Sequence, residues 1–302
     1  MDQPQPKTLP RRTFLLELAA IGLGTRALSA CAGAPSGGSA SPSIASSSAN
    51  QIGLQLYTVR DLMEKDFEGT VERVAQIGYR NVEFAGYYNR SAEQVRALLD
   101  RLKLGSASAH IGAQLMRQDA AAQIQAAKVI GQEYITIPSY PFSRTGGVDA
   151  WKQGASEFNG WGAQCRAAGI RLAYHNHAAE FATVDGGAVG YDVLMRETDP
   201  ALVDFELDLY WASFADQSPV ALFAKYPGRF AMWHVKDMQL SQGTKSITAV
   251  GLGILDFKTI FAHAREAGMK HFFVEQDNAA SFPGGSLAGI ETSYANLRRL
   301  LG

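Results

Sequence analysis

Short stretches rich in β-branched and aromatic residues alternate with amphipathic stretches along the chain from Gln51 onward. Runs of the first kind are typical of strands, and apolar residues spaced three and four apart are typical of helices packed on one face. The predicted strands are 52–57, 80–84, 105–110, 134–138, 170–176, 202–208, 230–236 and 271–275. The predicted helices are 71–77, 92–102, 120–130, 151–168, 191–198, 219–226, 257–267 and 287–301.

The order of these elements favours a closed barrel over an open sheet. Several predicted helices end in the glycine that a helix C-terminus prefers, as at Gly78 and Gly131. Eight β/α units in about 250 residues fit the usual size of a TIM barrel. A doubly wound sheet would normally carry a glycine-rich phosphate loop after its first strand, and the run 52–57 continues into Thr58-Val59-Arg60 without one. We therefore predict an α/β fold, a (β/α)8 TIM barrel over residues 51–302.

The first fifty residues differ from the rest and indicate export. Arg11-Arg12 precedes a moderately apolar stretch, and Leu28-Ser29-Ala30-Cys31 has the order of a lipobox, whose cysteine is acylated. We interpret residues 1–31 as an export signal and residues 32–50, mostly Ser, Ala, Gly and Pro, as a flexible tether. An ordinary N-terminal helix is the alternative. The interpretation predicts a periplasmic or cell-envelope lipoprotein that is held to the membrane only through a lipid on Cys31.

Composition narrows the class of partner. The 302 residues carry a formal net charge of −1, so neither a nucleic-acid partner nor a basic membrane-binding face is expected. The chain has two cysteines, too few for a disulfide framework, and the helical setting of Cys165 predicts a buried structural thiol. The sequence does not predict an oligomeric state.

Polar residues are concentrated where the predicted strands end, which in a barrel is the active-site mouth. They include four of the six histidines. The residues concerned are Glu83, His110, His175, His177, Glu180, Glu206, Asp208, His234, Lys236, Asp237, Glu275, Gln276 and Asp277. One such residue would usually be structural, but many imidazoles and acids at one mouth would repel or stay unsatisfied without a cation. Carboxylates and imidazoles without thiolates predict one divalent ion, Mn, Co, Zn or Mg.

Motifs along nearly all of residues 51–302 resemble the xylose isomerase-like barrels, often called sugar phosphate isomerases/epimerases. The motifs are Gly53-Leu54-Gln55-Leu56-Tyr57, Ile77-Gly78-Tyr79-Arg80-Asn81-Val82-Glu83, Tyr174-His175-Asn176-His177, Asp208-Leu209-Tyr210-Trp211, His234-Val235-Lys236-Asp237 and Val274-Glu275-Gln276-Asp277. As a set they are specific for the family, though not for one reaction.

The resemblance implies a metal site. Relatives hold one metal with an acid from strand five, an aspartate from strand six, a histidine from strand seven and a glutamate from strand eight. Asp208, His234 and Glu275 match the last three, whereas His175 stands where many relatives have the acid. The fourth ligand therefore stays open between His175 and the reserves Glu180, His177 and Glu83. Fewer acids would weaken binding of Mg²⁺ relative to Mn²⁺, Co²⁺ or Zn²⁺.

The resemblance also implies a reaction, in which the metal polarises a sugar carbonyl while a base removes the neighbouring proton. Isomerisation, epimerisation and elimination share this step. The expected catalytic residues are His177, Lys236, Glu275, His110 and Glu180. The alternative for Lys236 is a solvated surface lysine. The expected substrate-binding residues are Tyr57, Glu83, Trp211, Asp237 and Gln276.

Export and the lack of an evident phosphate cradle favour a non-phosphorylated substrate, such as a free sugar, a cyclitol or a keto-glycoside. We predict an isomerase or epimerase of such a carbohydrate, with a lyase or hydratase on the same site as the alternative. Another alternative is a non-catalytic sugar-binding lipoprotein. A nuclease of the abasic-site type would need more metal ligands and a basic groove, which the near-neutral charge argues against.

Overall fold

A computed structural model describes residues 51–142 and 146–302 of the chain. The predicted export signal and tether, residues 1–50, lie outside the described residues, so both stay predictions. Within the described part, no helix is both long and apolar enough to cross a membrane.

Eight parallel strands close into a barrel, which confirms the predicted fold class. They are β1 (Gly53–Gln55), β2 (Asn81–Phe84), β3 (Gly105–His110), β4 (Tyr134–Ile137), β5 (Arg171–His175), β6 (Val203–Asp208), β7 (Met232–Val235) and β10 (His271–Val274). Neighbours around the ring follow the chain order, and β10 closes the ring by pairing with β1. Because every strand runs in the same direction, all eight C-terminal ends meet at one mouth.

Helices cover the outside of the barrel and connect its strands. They are α1 (Arg60–Met63), α2 (Phe67–Ile77), α3 (Ala92–Leu102), α4 (Ala113–Ile130), α5 (Gly147–Ala167), α6 (Gly190–Glu197), α7 (Leu209–Phe214), α8 (Pro219–Lys225), α9 (Phe257–Ala262), α10 (Ala264–Ala267) and α11 (Gly285–Leu301). Local chemistry fixes several starts, since Ser91 and Gln94 form a reciprocal capping box at α3 and Ser218 caps α8 ahead of Pro219.

The observed elements depart from the predicted ones mainly where a helix is broken. The predicted helix 257–267 is interrupted at His263, which separates α9 from α10. The predicted helix 120–130 is the second part of α4, because Asp119 has non-helical φ −159° and ψ 81°. Its side chain accepts a hydrogen bond from the Ala122 backbone N–H at 2.9 Å, as a helix N-cap does.

A two-stranded hairpin after β7 was not predicted. It consists of β8 (Asp237–Ser241) and β9 (Thr244–Thr248), which pair with each other and with no barrel strand among the described residues. The turn residues Gln242 and Gly243 have φ of 48° and 80°, the positive values that a tight hairpin turn requires. The alternating polar and apolar residues on either side of Gln-Gly were the available signal.

The core between barrel and helices is apolar and aromatic. Trp233 of β7 stacks on Phe223 of α8 with ring centroids 4.9 Å apart and an interplanar angle of 5°. Cys165 is fully buried in α5, as predicted, and burial raises the pKa of its thiol to about 12. A thiol so protonated is unreactive, which agrees with a structural role.

Candidate metal centre

Four side chains from four strand ends converge at the barrel mouth. His175 ends β5, Asp208 ends β6, His234 lies in β7 and Glu275 follows β10. Each offers a donor atom, and these atoms all lie within 4.8 Å of one another. None of the four residues is more than 4% exposed. We call these four residues the mouth set. Asp208, His234 and Glu275 are the three ligands that the resemblance implied, and His175 was the first candidate for the open fourth position.

The donor atoms of the mouth set fit a divalent cation. His234 Nδ1 lies 2.7 Å from Glu275 Oε2 and 3.9 Å from Asp208 Oδ2, and His175 Nε2 lies 4.0 Å from the same Asp208 oxygen. Asp208 Oδ1 accepts a hydrogen bond from the Trp211 backbone N–H, whereas the buried Oδ2 has no hydrogen bond of acceptable geometry. A buried carboxylate oxygen left in this way is costly unless a cation balances it.

Lys236 lies beside the mouth set and supplies one such cation. Its Nζ is 2.7 Å from Glu275 Oε2, 2.9 Å from Asp208 Oδ2 and 3.1 Å from Asp277 Oδ2. Burial alone would lower the pKa of this ammonium, but the three carboxylates outweigh it and raise the pKa above its ordinary value. Lys236 is therefore a buried, charged group, and the alternative of a solvated surface lysine is wrong.

Burial and neighbouring charges separate the proton affinities of the mouth set. Burial and the adjacent His234 hold the pKa of His175 well below its ordinary value, so its imidazole is neutral. Burial would lower the pKa of His234 too, but Glu206 and Glu275 outweigh it and raise the pKa. For the carboxyl group of Asp208, burial acts in the opposite direction and raises the pKa. A neutral imidazole is ready to bind a metal, whereas His234 must first release a proton.

A cavity of about 380 Å³ opens above the mouth set. Its lining residues are Tyr57, Ala85, His110, Pro138, Ser139, His175, His177, Lys236, Glu275 and Asp277. The predicted catalytic residues His110, His177, Lys236 and Glu275 thus share one cavity, together with the predicted sugar-binding Tyr57. Trp211 packs beside it, with its ring centroid 5.6 Å from that of His177 and from Lys236 Nζ.

Four of the predicted catalytic or substrate-binding residues are engaged by other partners, and none of these four lines the cavity. Glu180 accepts hydrogen bonds from the Tyr174 hydroxyl at 2.7 Å and from the His177 backbone N–H at 2.9 Å, so both of its carboxylate oxygens are engaged within the protein. Glu83 is fully buried in the barrel, where Gln55 Nε2 donates to it at 2.8 Å, so substrate cannot reach it.

The other two corrections concern the residues that follow Lys236 and Glu275. Asp237 accepts backbone hydrogen bonds from Met238, Gly251, Gly253 and Leu255, and so fixes the loop after β9. Gln276 is 2% exposed and donates to Asn278. Successive side chains in a strand point to opposite faces. Asp237 and Gln276 follow the inward-facing Lys236 and Glu275, so their side chains point away from the mouth.

Two residues of the site were given no role in the sequence analysis. Asp277 lines the cavity and holds Lys236, and Glu206 lies inside the barrel against three imidazoles. The two-residue spacing of Glu206 from Asp208 and of Asp277 from Glu275 was the available signal. Inward-facing positions in a strand recur every second residue, and a strand end can continue that pattern.

Comparison with known proteins agrees with this architecture. The profile of the xylose isomerase-like TIM barrel family matches residues 71–300. The chain belongs to that family. This xylose isomerase-like barrel is 25% identical to the inosose dehydratase of Clostridium beijerinckii, over 73% of this chain and 86% of that enzyme. It therefore stands among sugar isomerase, epimerase and dehydratase-type barrels.

Solved structures resemble this xylose isomerase-like barrel over most of its length. A sugar phosphate isomerase/epimerase from Parabacteroides distasonis is 26% identical, with a TM-score of 0.70 over 88% of this chain and 98% of that chain. A xylose isomerase-like TIM barrel protein from Mycobacterium smegmatis, solved in complex with magnesium, is 13% identical with a TM-score of 0.62. The match covers 83% of this chain and 96% of that chain. At that identity the second likeness shows a shared fold.

Proposed function

We propose that the chain is a divalent-metal-dependent enzyme that removes a proton next to a carbonyl of a non-phosphorylated sugar, cyclitol or keto-glycoside. One observation carries the proposal. The mouth set brings its four donors within 4.8 Å of one another, and His177 lines the cavity that His175 and Glu275 of this set also line. A cation site and an acid–base group at one cavity are the parts that this reaction needs.

His175, Asp208, His234 and Glu275 would hold the ion. When bound there, a divalent ion would polarise the substrate carbonyl and stabilise the negative charge that follows proton removal. Nitrogen and carboxylate donors without thiolates suit Mn, Co, Zn or Mg, and two imidazoles favour the first-row metals over Mg. The magnesium in the Mycobacterium smegmatis structure supports a divalent ion in this fold without fixing its identity.

The chain's own residues supply the proton chemistry. His177 is the base that takes the proton, because its ring lines the cavity while Glu180 accepts a hydrogen bond from its backbone and Trp211 packs beside it. The protonated His177 then returns this proton to the product or to a leaving hydroxyl. Lys236 keeps the carboxylates of Asp208 and Glu275 charged and in place.

Elimination is the outcome that the comparisons favour. After proton removal, the electron pair of the broken C–H bond forms a C=C bond as a β-hydroxyl leaves, and the proton taken up by His177 turns that hydroxyl into water. The name inosose dehydratase, carried by the Clostridium beijerinckii relative, supports this lyase outcome. The name sugar phosphate isomerase/epimerase supports the second candidate, in which the proton returns to a neighbouring carbon and nothing leaves.

A substrate without phosphate fits the charges at the cavity. No arginine is among its described lining residues, and the only lysine there, Lys236, already faces three carboxylates. We further propose that residues 1–31 direct export and that Cys31 carries a lipid, which would place the enzyme where unphosphorylated sugars occur. A lipid analysis of the purified protein, with Cys31→Ser as control, tests the anchor.

Proton exchange in D2O tests the shared first step. The full chain is stripped with a chelator, reloaded with Mn, Co, Zn or Mg, and incubated with inososes, keto-glycosides and their phosphorylated counterparts. We expect loss of the α-proton NMR signal only in the reloaded protein, with water loss from the substrate if the enzyme is a lyase. His177→Asn should keep the ion and lose the exchange.

Several outcomes would contradict the proposal. Sugar binding that survives metal removal, with no exchange for any substrate, would favour the non-catalytic sugar-binding protein. Activity restricted to phosphorylated substrates would reject the substrate class while keeping the reaction. Exchange that persists in His177→Asn would move the base to another residue.

A further inference from the structure

A second group of metal donors lies deeper in the barrel than the mouth set. It consists of His110, His175, Glu206 and His234, whose donor atoms also lie within 4.8 Å of one another. We call these four residues the deep set. Glu206 precedes Asp208 by two residues on β6, which places it roughly 6–7 Å further along the strand from the mouth.

Three imidazole nitrogens of the deep set point at one carboxylate oxygen. Glu206 Oε2 lies 2.8 Å from His110 Nε2, 3.2 Å from His175 Nδ1 and 3.2 Å from His234 Nε2. Ligand atoms around a zinc ion, with bonds of about 2.0–2.2 Å, lie roughly 3.3–3.6 Å apart in a tetrahedron. The three distances from Glu206 to the imidazoles are therefore within a few tenths of an ångström of those in such a site, and all donor atoms lie within 4.8 Å of one another.

Glu83 adds a fifth donor and a second negative charge. Its Oε2 lies 2.7 Å from His234 Nε2 and 3.4 Å from His110 Nε2. Glu83 and Glu206 are both fully buried, and each keeps one carboxylate oxygen, Oε1, without a hydrogen-bond partner. No lysine or arginine of the described residues pairs with either carboxylate, in contrast to the mouth set with Lys236.

The two sets share His175 and His234, and each shared ring presents a different nitrogen to each set. His234 directs Nδ1 to Glu275 and Nε2 to Glu206, whereas His175 directs Nε2 to Asp208 and Nδ1 to Glu206. Glu83 raises the number of donors around the deep position to five. An ion there can therefore reach four ligands while it uses only one of the two shared rings. The other ring stays with the mouth set, so both positions can be filled together.

From this geometry we infer that the deep set, with Glu83, binds a second divalent ion of the zinc and cobalt class. This second ion goes beyond the proposed function, which needs only the mouth set. Two imidazoles with the carboxylates of Glu83 and Glu206 are donors that Zn²⁺ and Co²⁺ accept and that suit Mg²⁺ less well. His110 also lines the cavity, which gives an ion a route to the deep set.

Metal counting on the full-length chain tests the inference, with Zn²⁺ and Co²⁺ alone as probes. We expect about two equivalents of Zn per chain after loading and removal of free metal, and a Co²⁺ titration with two spectral components. His110→Asn should lower the count to about one, because His110 is a donor of the deep set and not of the mouth set. Asp208→Asn should also leave about one equivalent, in the deep position. His271→Asn, at the opposite end of the barrel, is the matched control and should change nothing.

A wild-type count of about one, unchanged by His110→Asn and abolished by Asp208→Asn, would overturn the inference. Glu206 and Glu83 would then only orient the histidines that hold the mouth ion. The wild-type count decides the question even if a variant fails to fold, which circular dichroism would reveal. Two ions in a protein without turnover would reject the proposed function and keep this inference, whereas one ion with turnover would do the reverse.

Discussion

The two ends of the barrel use polar residues in opposite ways. At the N-terminal end, donors and acceptors are matched: Arg171 pairs with Asp204 and also donates to two backbone carbonyls, and Lys270 donates to the Tyr134 hydroxyl at 3.1 Å. At the mouth, carboxylates and imidazoles crowd together and buried oxygens such as Asp208 Oδ2 stay without a hydrogen bond. Matched pairs stabilise a fold, whereas an excess of ligands with one sign of charge indicates a place for a cation.

The largest effect should come from removing a mouth ligand. Asp208→Ala should abolish binding of the mouth ion and lower kcat/KM by about 10³-fold or more, because the proposed reaction depends on that ion to polarise the carbonyl. Steady-state kinetics and elemental analysis measure both. Retention of activity would show that the reaction does not depend on the mouth set.

Replacing Lys236 should show how far its ammonium group balances the negative charge at the mouth. In Lys236→Met, the carboxylates of Asp208 and Glu275 lose their internal cation, and breaking a buried pair of this kind costs about 3–5 kcal/mol. We expect a large fall in the unfolding free energy of the metal-free protein and a smaller fall after loading with Mn²⁺. Equal falls with and without metal would mean that the ion does not replace the lysine's charge.

At the opposite end, the same kind of change should affect stability alone. Arg171→Ala removes hydrogen bonds to Asp204 and to the Ala201 and Pro200 carbonyls, and should lower the unfolding free energy by about 1–3 kcal/mol. Metal content and kcat/KM should stay at wild-type values. A loss of metal in this variant would show that the two ends are coupled and would weaken the comparison.

The smallest effect should come from the pair formed by His271 and Glu133 at the N-terminal end. Their side chains are 3.3 Å apart, and that of Glu133 is 62% exposed. His271→Asn or Glu133→Gln should change the unfolding free energy by less than about 0.5 kcal/mol, since exposed ion pairs contribute little. Urea denaturation measures it, and a larger change would mean that surface pairs at this end contribute to the fold.

The fold could be predicted from sequence because it is repeated locally in every unit. An apolar run such as 202–208, followed by a helix with a recognisable cap, predicts the same β/α unit eight times over, and closure into a barrel follows from the count. The hairpin at residues 237–248 interrupts this repetition. It was missed because the run after Lys236 is short and its turn uses Gln-Gly rather than Asn-Gly.

The site could be predicted only in part, for a physical reason. Strand ends identify which residues reach the mouth, and the family resemblance was needed to select Asp208, His234 and Glu275 among them, with His175 as one candidate for the fourth ligand. It does not show which neighbour takes up a side chain's hydrogen bonds. Glu180 and Asp237 are engaged by backbone N–H groups that no sequence pattern indicates, so their structural role became visible only in three dimensions.

The hairpin that was missed gives the molecule a natural position for a reporter. Its strand β8 begins one residue after Lys236, and its tip at Gln242-Gly243 stands apart from the barrel sheet. A fluorophore carried at Gln242 would be tied to the mouth through five residues of strand while leaving the barrel's own pairing untouched. Ligand arrival at the mouth would then become an optical signal, by which candidate ligands could be compared.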